Sequence, residues 1–344
     1  MSAAQGRLSQ PTAKAVVLGT LGVTGFSLTL PVTRYADPAF GPELVGPGRA
    51  LFAAVFAVTL LLVLRRPLFP PRRMLPSVLV VTGGTVIGYP LLVAHALESV
   101  SASHASVVLA FLPASTAVMA VLRASERPTR GFWVSCAAGT VLIVGYMTLQ
   151  ADSRFGVGDL ELIGAVLAAS AGYAEGGTLS RQVPGWVVTC WSLVCGVPGV
   201  AAIILIIGLP HHIALTWTTA AAFAYVALVS SLLAFVFWYK ALAIGGIAKL
   251  GQVQLLQPIL TMLFSALILG ERLDITMMLI AVGVGVAVLS AQRTRVTRVK
   301  LDTESTQGTG NQVRRPPEGL CRRRRSASRR GLRRPDSEGD GGRG

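Results

Sequence analysis

Residues 96–127 read ALESVSASHASVVLAFLPASTAVMAVLRASER, and residues 241–272 read ALAIGGIAKLGQVQLLQPILTMLFSALILGER. The two stretches align without a gap at a constant offset of 145 residues. That offset pairs Ala96 with Ala241, Leu97 with Leu242, Pro113 with Pro258 and Thr116 with Thr261. It also pairs Glu126-Arg127 with Glu271-Arg272 and, farther upstream, Gly19 with Gly164. Self-similarity held at one spacing marks an internal duplication. The chain is two copies of one unit.

Working outward, each unit consists of apolar blocks separated by charge and by Pro/Gly breaks. A bilayer core takes about 20 predominantly apolar residues per helix, and its backbone groups must be satisfied within the segment. On that basis ten spans are expected, near 15–33, 45–64, 75–97, 102–122, 131–149, 160–180, 186–208, 217–240, 249–269 and 274–291. The third and eighth are long enough to tilt or bend, and Pro90 is placed to kink the third. The fold class is therefore an all-α integral membrane protein with two five-helix repeats.

Composition agrees. Of 344 residues, 52% are hydrophobic and only 14% charged, against about 25% charged in soluble domains, and mean hydropathy is +0.61. The net charge of +15 is unevenly spread. Residues 293–344 hold fifteen Arg or Lys and six Asp or Glu, so +9 belongs to a tail outside the apolar body. Specific nucleic-acid binding is not expected of the body. The tail reads as a disordered cytoplasmic appendage, either merely solvated or with Arg clusters that meet anionic lipid or, nonspecifically, RNA.

Charge placement orients the spans. With the N-terminus in the cytoplasm, the inner flanks of the body carry twelve basic residues and the outer flanks three, Arg34, Arg154 and Arg272. Acids show the reverse, with Glu126 alone inside and eight outside. The positive-inside rule is met, with both termini cytoplasmic and the chain multi-pass in the cell (inner or plasma) membrane. Five spans per unit is an odd number, so the Glu126-Arg127 loop falls inside and its counterpart at Glu271-Arg272 outside. The repeats are thus inverted, an arrangement common in secondary transporters. The expected organisation is a cytoplasmic segment 1–14, a first repeat 15–149, an outer linker 150–159, a second repeat 160–292 and the tail 293–344. The first span follows Arg7 and Lys14 but lacks a small-residue cleavage pattern, and reads as an uncleaved helix.

The chain resembles the drug/metabolite transporter superfamily, in its ten-helix EamA-type branch. The residues that carry the resemblance are Ala96-Leu97, Ala105-Ser106 and Pro113, then Ala241-Leu242 and Pro258 leading into Leu269-Gly270-Glu271-Arg272. Arg49 within GRALFAA and Arg181 after the sixth span fit as well. The first repeat departs from the pattern by reading Ala124-Ser125-Glu126 where Leu-Gly-Glu is usual, and the first span lacks a Trp often found there. The resemblance covers roughly residues 15–292. It implies transport of a small solute through a cavity ringed by spans 1, 3, 4, 6, 8 and 9.

Candidate site residues follow from polar groups inside apolar spans. Glu175 is the only acid within one, and buried charge in a bilayer is costly enough to suggest function. It could carry a coupling proton or meet a cationic solute; the alternative is local pairing near Arg181. Tyr173 and Thr178 lie near it, Thr178 on the same helical face. Gln254, Gln257 and Thr261 fall at i, i+3 and i+7 on one face, suited to a cavity or to interhelical bonding. Thr20, Thr24, Ser27 and Pro31 form a smaller polar stripe that packing explains as well. Trp238 and Tyr239 suit stacking on a solute or an interfacial belt. Arg49 suits a substrate anion or snorkelling, and His95, near the outer end, suits titration near neutral pH, snorkelling or a hydrogen bond.

Other chemistries lack their residues. The four cysteines, Cys136, Cys190, Cys195 and Cys321, form no C-x-x-C, and the pair His211-His212 has no third ligand nearby, so neither disulfides nor a metal site is expected. The glycines of spans one and six follow no strand and open no phosphate loop, so no nucleotide cofactor and no ATP-driven pumping is expected. Paired intramembrane acids or HExxH are missing, so an enzyme is not expected. The leading expectation is a secondary transporter, an exporter of metabolites or drugs by alternating access, coupled to protons or working by exchange. A non-transporting sensor or scaffold with the basic tail as output is the alternative.

Overall fold

The structure, a computed structural model, describes residues 5–8, 11–29, 31–32, 40, 44–99, 108–150, 156–208, 215–269, 275–294 and 296–299. The Glu271-Arg272 copy of the repeated motif, the loop bearing His211 and His212, and the tail beyond residue 299 lie outside these residues.

Nearly every described residue is helical. Helix α1 (Ala13–Ser27) starts where the Thr12 side chain accepts from the Ala15 amide at 3.3 Å, the usual N-cap exchange. Helix α2 (Arg49–Val63) continues a π-helical turn at Leu44–Gly48. Helix α3 begins as Leu75–Val81, widens to a π-helical stretch at Thr82–Gly88 and ends as Tyr89–Ser99. Helices α4 (Leu112–Ala124), α5 (Arg130–Gln150), α6 (Val157–Leu179) and α7 (Gly185–Ile207) follow. Helix α8 repeats the pattern of α3: Trp217–Ala224, a π-helical stretch at Tyr225–Leu233, then Ala234–Gly245. Gly246, at φ 87°, breaks the chain before α9, which runs through Ile247–Gly251, a 3-10 stretch at Gln252–Leu256 and Gln257–Leu269. Helix α10 is Ile275–Arg293.

Among the described residues, six stretches are long and apolar enough to cross a membrane: Leu44–Val63, Leu75–Val93, Val157–Leu179, Gly185–Ile206, Trp217–Gly245 and Ile247–Ile268. Shorter apolar helices at Ala13–Ser27, Leu112–Ala124 and Val282–Arg293 accompany them. Large apolar side chains also lie on the outside: Leu205 and Ile206 are each 84% exposed and Val63 71%. Water would penalise such a surface and lipid does not.

Helix packing follows the 145-residue offset. The second helix packs on the seventh and the fifth on the tenth, each pairing with its own counterpart. The first packs on the eighth and the sixth on the third, a pair of contacts that exchange under the offset. Small residues permit the approach, as in other membrane bundles. A Cβ on Gly22 would stand 3.1 Å from the Ala234 carbonyl oxygen, and one on Gly84 only 2.3 Å from that of Ala168. Pro90 does not simply kink α3. With no N–H to donate, it coincides with the widened Thr82–Gly88 stretch just before it. The offset carries 82–88 onto 227–233, inside the π-helical part of α8, where Phe235 stands in place of Pro90.

Among the described residues, a small sheet departs from the all-helical pattern. Strands β1 (Gln5–Leu8), β2 (Glu126–Pro128) and β3 (Val296–Val299) form an antiparallel sheet in the order β1-β3-β2. Gln5 faces Val299 and Glu126 faces Arg298. The sheet ties the segment before α1 and the chain after α10 to the turn between α4 and α5. Ser125, which closes α4, sits in the left-handed region at φ 53°.

Candidate functional site

A narrow cleft opens between α2, α3, α7 and α8. Helix α3 contributes Thr85, Val86 and Pro90; α8 contributes Ser231 and Phe235. Val86 and Ser231 are partners under the 145-residue offset, and so are Pro90 and Phe235. Equivalent positions of the two repeats therefore face each other across the cleft. Both π-helical stretches border it, and such widened turns recur at functional sites because they leave carbonyls without their usual partners. Side chains fold back onto both stretches: Ser231 Oγ donates to the Val226 carbonyl at 3.0 Å, and Thr85 Oγ1 to that of Val81 at 2.8 Å.

Charge breaks this symmetry. Arg49 of α2 lines the cleft beside Ala50, while its offset partner is the apolar Val194. Among the described residues no carboxylate pairs with Arg49. From α7 come Thr189, Ser192 and Leu193.

Phe235 connects the cleft to an aromatic cluster. Its ring centroid lies 4.8 Å from that of Phe26 and 5.5 Å from that of Tyr239, and the Tyr173 ring is 5.6 Å from Trp238. Trp238 and Tyr239 are fully buried, so these rings belong to the interior and not to an interfacial belt. Gln254 Nε2 donates to Tyr173 Oη and to Gln257 Oε1, both at 3.3 Å. Gln254 Oε1 and Trp238 Nε1 are buried and, among the described residues, meet no hydrogen-bond partner. Buried polar atoms rarely go unsatisfied without a reason such as a bound ligand. Thr261 Oγ1 donates to the Ser27 carbonyl at 3.0 Å and Ser27 Oγ to that of Gln257 at 3.2 Å, fastening α1 to α9.

The acids lie elsewhere. Glu175 accepts from Arg123 Nη2 at 2.8 Å and Nε at 3.0 Å. Its neighbour Tyr173 turns to the opposite side, and the Thr178 hydroxyl donates to the Ala174 carbonyl at 2.8 Å, so the three do not converge. Thr24 is half-buried on α1. His95 Nδ1 lies 2.6 Å from Glu161.

Sequence reasoning passed over Glu126. It is wholly buried, 2.5 Å from Arg181 Nη2, and it accepts the amides of Ile247 and Ala248 at 3.0 and 2.8 Å. One carboxylate thus joins the α4–α5 turn to the end of α6 and caps the start of α9, where unpaired amides favour an anion. Buried Lys249 adds a second positive charge within Coulombic reach. The available signal was the Glu-Arg pair recurring at the repeat offset, together with Gly245-Gly246 ahead of α9.

Of the sequence candidates, the structure brings together Tyr173, Trp238, Gln254 and Gln257. Arg49 lies in the adjoining cleft, Thr261 in the α1–α9 seam, and Glu175 with Thr178 apart. Of the spans that the resemblance implied, α3 and α8 line the cleft, while among the described residues α1, α4, α6 and α9 contribute none of its lining and α2 and α7 supply the rest.

Comparison with known proteins adds the following. Residues 13–148 and 156–291 each match the EamA-like transporter family. The chain is 39% identical over 282 residues to "Uncharacterized transporter YdeK" of Bacillus subtilis (strain 168), an alignment covering 82% of this chain and 98% of that one. A solved crystal structure superposes with a TM-score of 0.69 at 15% identity, covering 80% of this chain and 96% of its own, which speaks for the fold alone.

Proposed function

The chain belongs to the EamA-like transporter family, and on that premise we propose that it exports a small metabolite or drug-like solute by alternating access. Membership makes it a multi-pass membrane transporter, which accords with the expectation that it is not an enzyme. The single observation that carries the finer reading is the cleft bordered by Val86 and Ser231, and by Pro90 and Phe235, at equivalent positions of the two repeats.

In this reading the ten spans form two inverted five-helix halves. A site between repeats is reached from either side when the halves exchange conformations. The solute enters the cleft and rests against Phe235 and the aromatic cluster, with Gln254 as a polar contact. The Glu126–Arg181 contact holds the end bearing the sheet closed in one state, and that end faces the cytoplasm. Energy comes from a proton gradient or from exchange. Glu175 is the group that carries the proton, released from Arg123 when the end of α4 moves.

The test is flux in proteoliposomes loaded with a pH-sensitive dye, with a solute panel imposed on wild type and Glu175→Gln. Solute-driven proton movement that disappears in the variant supports the coupled reading. Equal solute movement in both, with no proton flux, assigns exchange or facilitated transport instead.

A further inference from the structure

The donor and acceptor inventory of the cleft specifies a solute class, and this inference rests on the transporter reading above. We infer that the cleft binds a small hydroxy-carboxylate with a net negative charge and an apolar or aromatic body.

Three observations converge. Arg49 supplies a planar fork that matches a carboxylate in two hydrogen bonds, and among the described residues no acid occupies it. The hydroxyls around it have spent their protons on backbone carbonyls. Thr189 donates to Gly185 at 3.0 Å, Ser192 to Thr189 at 2.9 Å, Ser231 to Val226 at 3.0 Å and Thr85 to Val81 at 2.8 Å. Thr85 Oγ1 also meets the Tyr239 hydroxyl at 3.4 Å, so it is Thr189, Ser192 and Ser231 that offer the cleft lone pairs, and the complementary ligand group is a donor. An ammonium would serve as a donor only at the cost of an unpaired charge, since no carboxylate lines the cleft among the described residues. A hydroxyl carries no such cost. The remaining wall, Val86, Leu193 and Phe235, is apolar and receives the carbon skeleton.

The test uses four isosteric probes on the full-length protein in detergent: mandelate, phenylacetate without the hydroxyl, phenylglycine with an ammonium in its place, and uncharged mandelamide. Binding of radiolabelled mandelate is measured directly and the others by competition. Mandelate is expected to bind, and each of the other three at least about tenfold more weakly. Arg49→Gln is expected to lose mandelate by a similar factor, and Arg49→Lys to lose less, because charge survives without the fork. The inference is overturned if phenylglycine or mandelamide equals mandelate, if Arg49→Gln binds it like wild type, or if none of the four binds. Should Arg49→Gln fail to fold, the probe series on wild type decides alone. Proteoliposome flux separates the two levels of the argument: cationic or neutral solutes carried equally by wild type and Arg49→Gln would remove the anion class and leave transport standing.

Discussion

Glu126 and Arg181, 55 positions apart, meet at 2.5 Å in a contact where the carboxylate is fully buried and the guanidinium side chain only 13% exposed. The same carboxylate caps α9. Removing it leaves a cation and two helix-start amides without their acceptor. Glu126→Ala is expected to lower stability by about 3 kcal/mol or more, the scale of a buried pair broken on one side. Glu126→Gln keeps an acceptor and should cost less while loosening the closed end. Thermal unfolding in detergent measures the first. Labelling of a cysteine placed at Arg127 with a membrane-impermeant reagent measures the second, and faster labelling in Glu126→Gln is expected.

Ser125 holds φ 53° at the close of α4, a conformation that a side chain disfavours and glycine does not. The sequence departs from the family pattern at this residue, with Ser where Gly is usual. Ser125→Gly is expected to stabilise by about 0.5–1 kcal/mol, less than the full conformational cost because glycine gains entropy in the unfolded chain. A rise in melting temperature checks it; a fall would contradict the turn geometry.

Gly83 and Gly84 are adjacent in the π-helical part of α3 yet differ in surroundings. A Cβ at 84 would meet the Ala168 carbonyl oxygen at 2.3 Å, whereas one at 83 meets nothing within 4 Å. Gly84→Ala must push α3 from α6 and is expected to cost about 2 kcal/mol or more. Gly83→Ala should be neutral or stabilising by up to about 1 kcal/mol. Parallel melting curves decide.

Gln254 keeps a buried acceptor unpartnered among the described residues while its amide nitrogen reaches Tyr173 and Gln257. Gln254→Leu removes an amide that folding alone does not use fully, so stability should change by no more than about 1 kcal/mol. Solute affinity should fall about tenfold or more. Loss of stability with affinity intact would make the residue a packing element.

Much of the fold was legible because apolar blocks follow from what a bilayer demands and the 145-residue offset marks the duplication. The positions of Pro90 and Phe235 across one cleft were not, since no pattern within a single helix says which residues of two repeats will face each other. Glu175 illustrates the difficulty. Its rarity in an apolar span was visible, but the Arg123 partner sits 52 positions away on another helix. Glu126 was hidden by its setting in a charged loop, where an acid ordinarily means solvent. The strands β1 and β3 are short, and their pairing depends on ends of the chain brought together only by the bundle. Arg49 and Gln254, in contrast, stood out in the sequence as candidates because polar groups in apolar helices need a reason to be there.

The most direct test of the central claim is solute flux in proteoliposomes for wild type and for Ser231→Trp, which fills the cleft between the repeats. Anionic, neutral and cationic solutes are imposed in turn, with melting curves run on both proteins. The account predicts that wild type carries at least one solute and that the folded Ser231→Trp protein carries none. A solute carried equally well by both would place the transport path elsewhere and contradict the account.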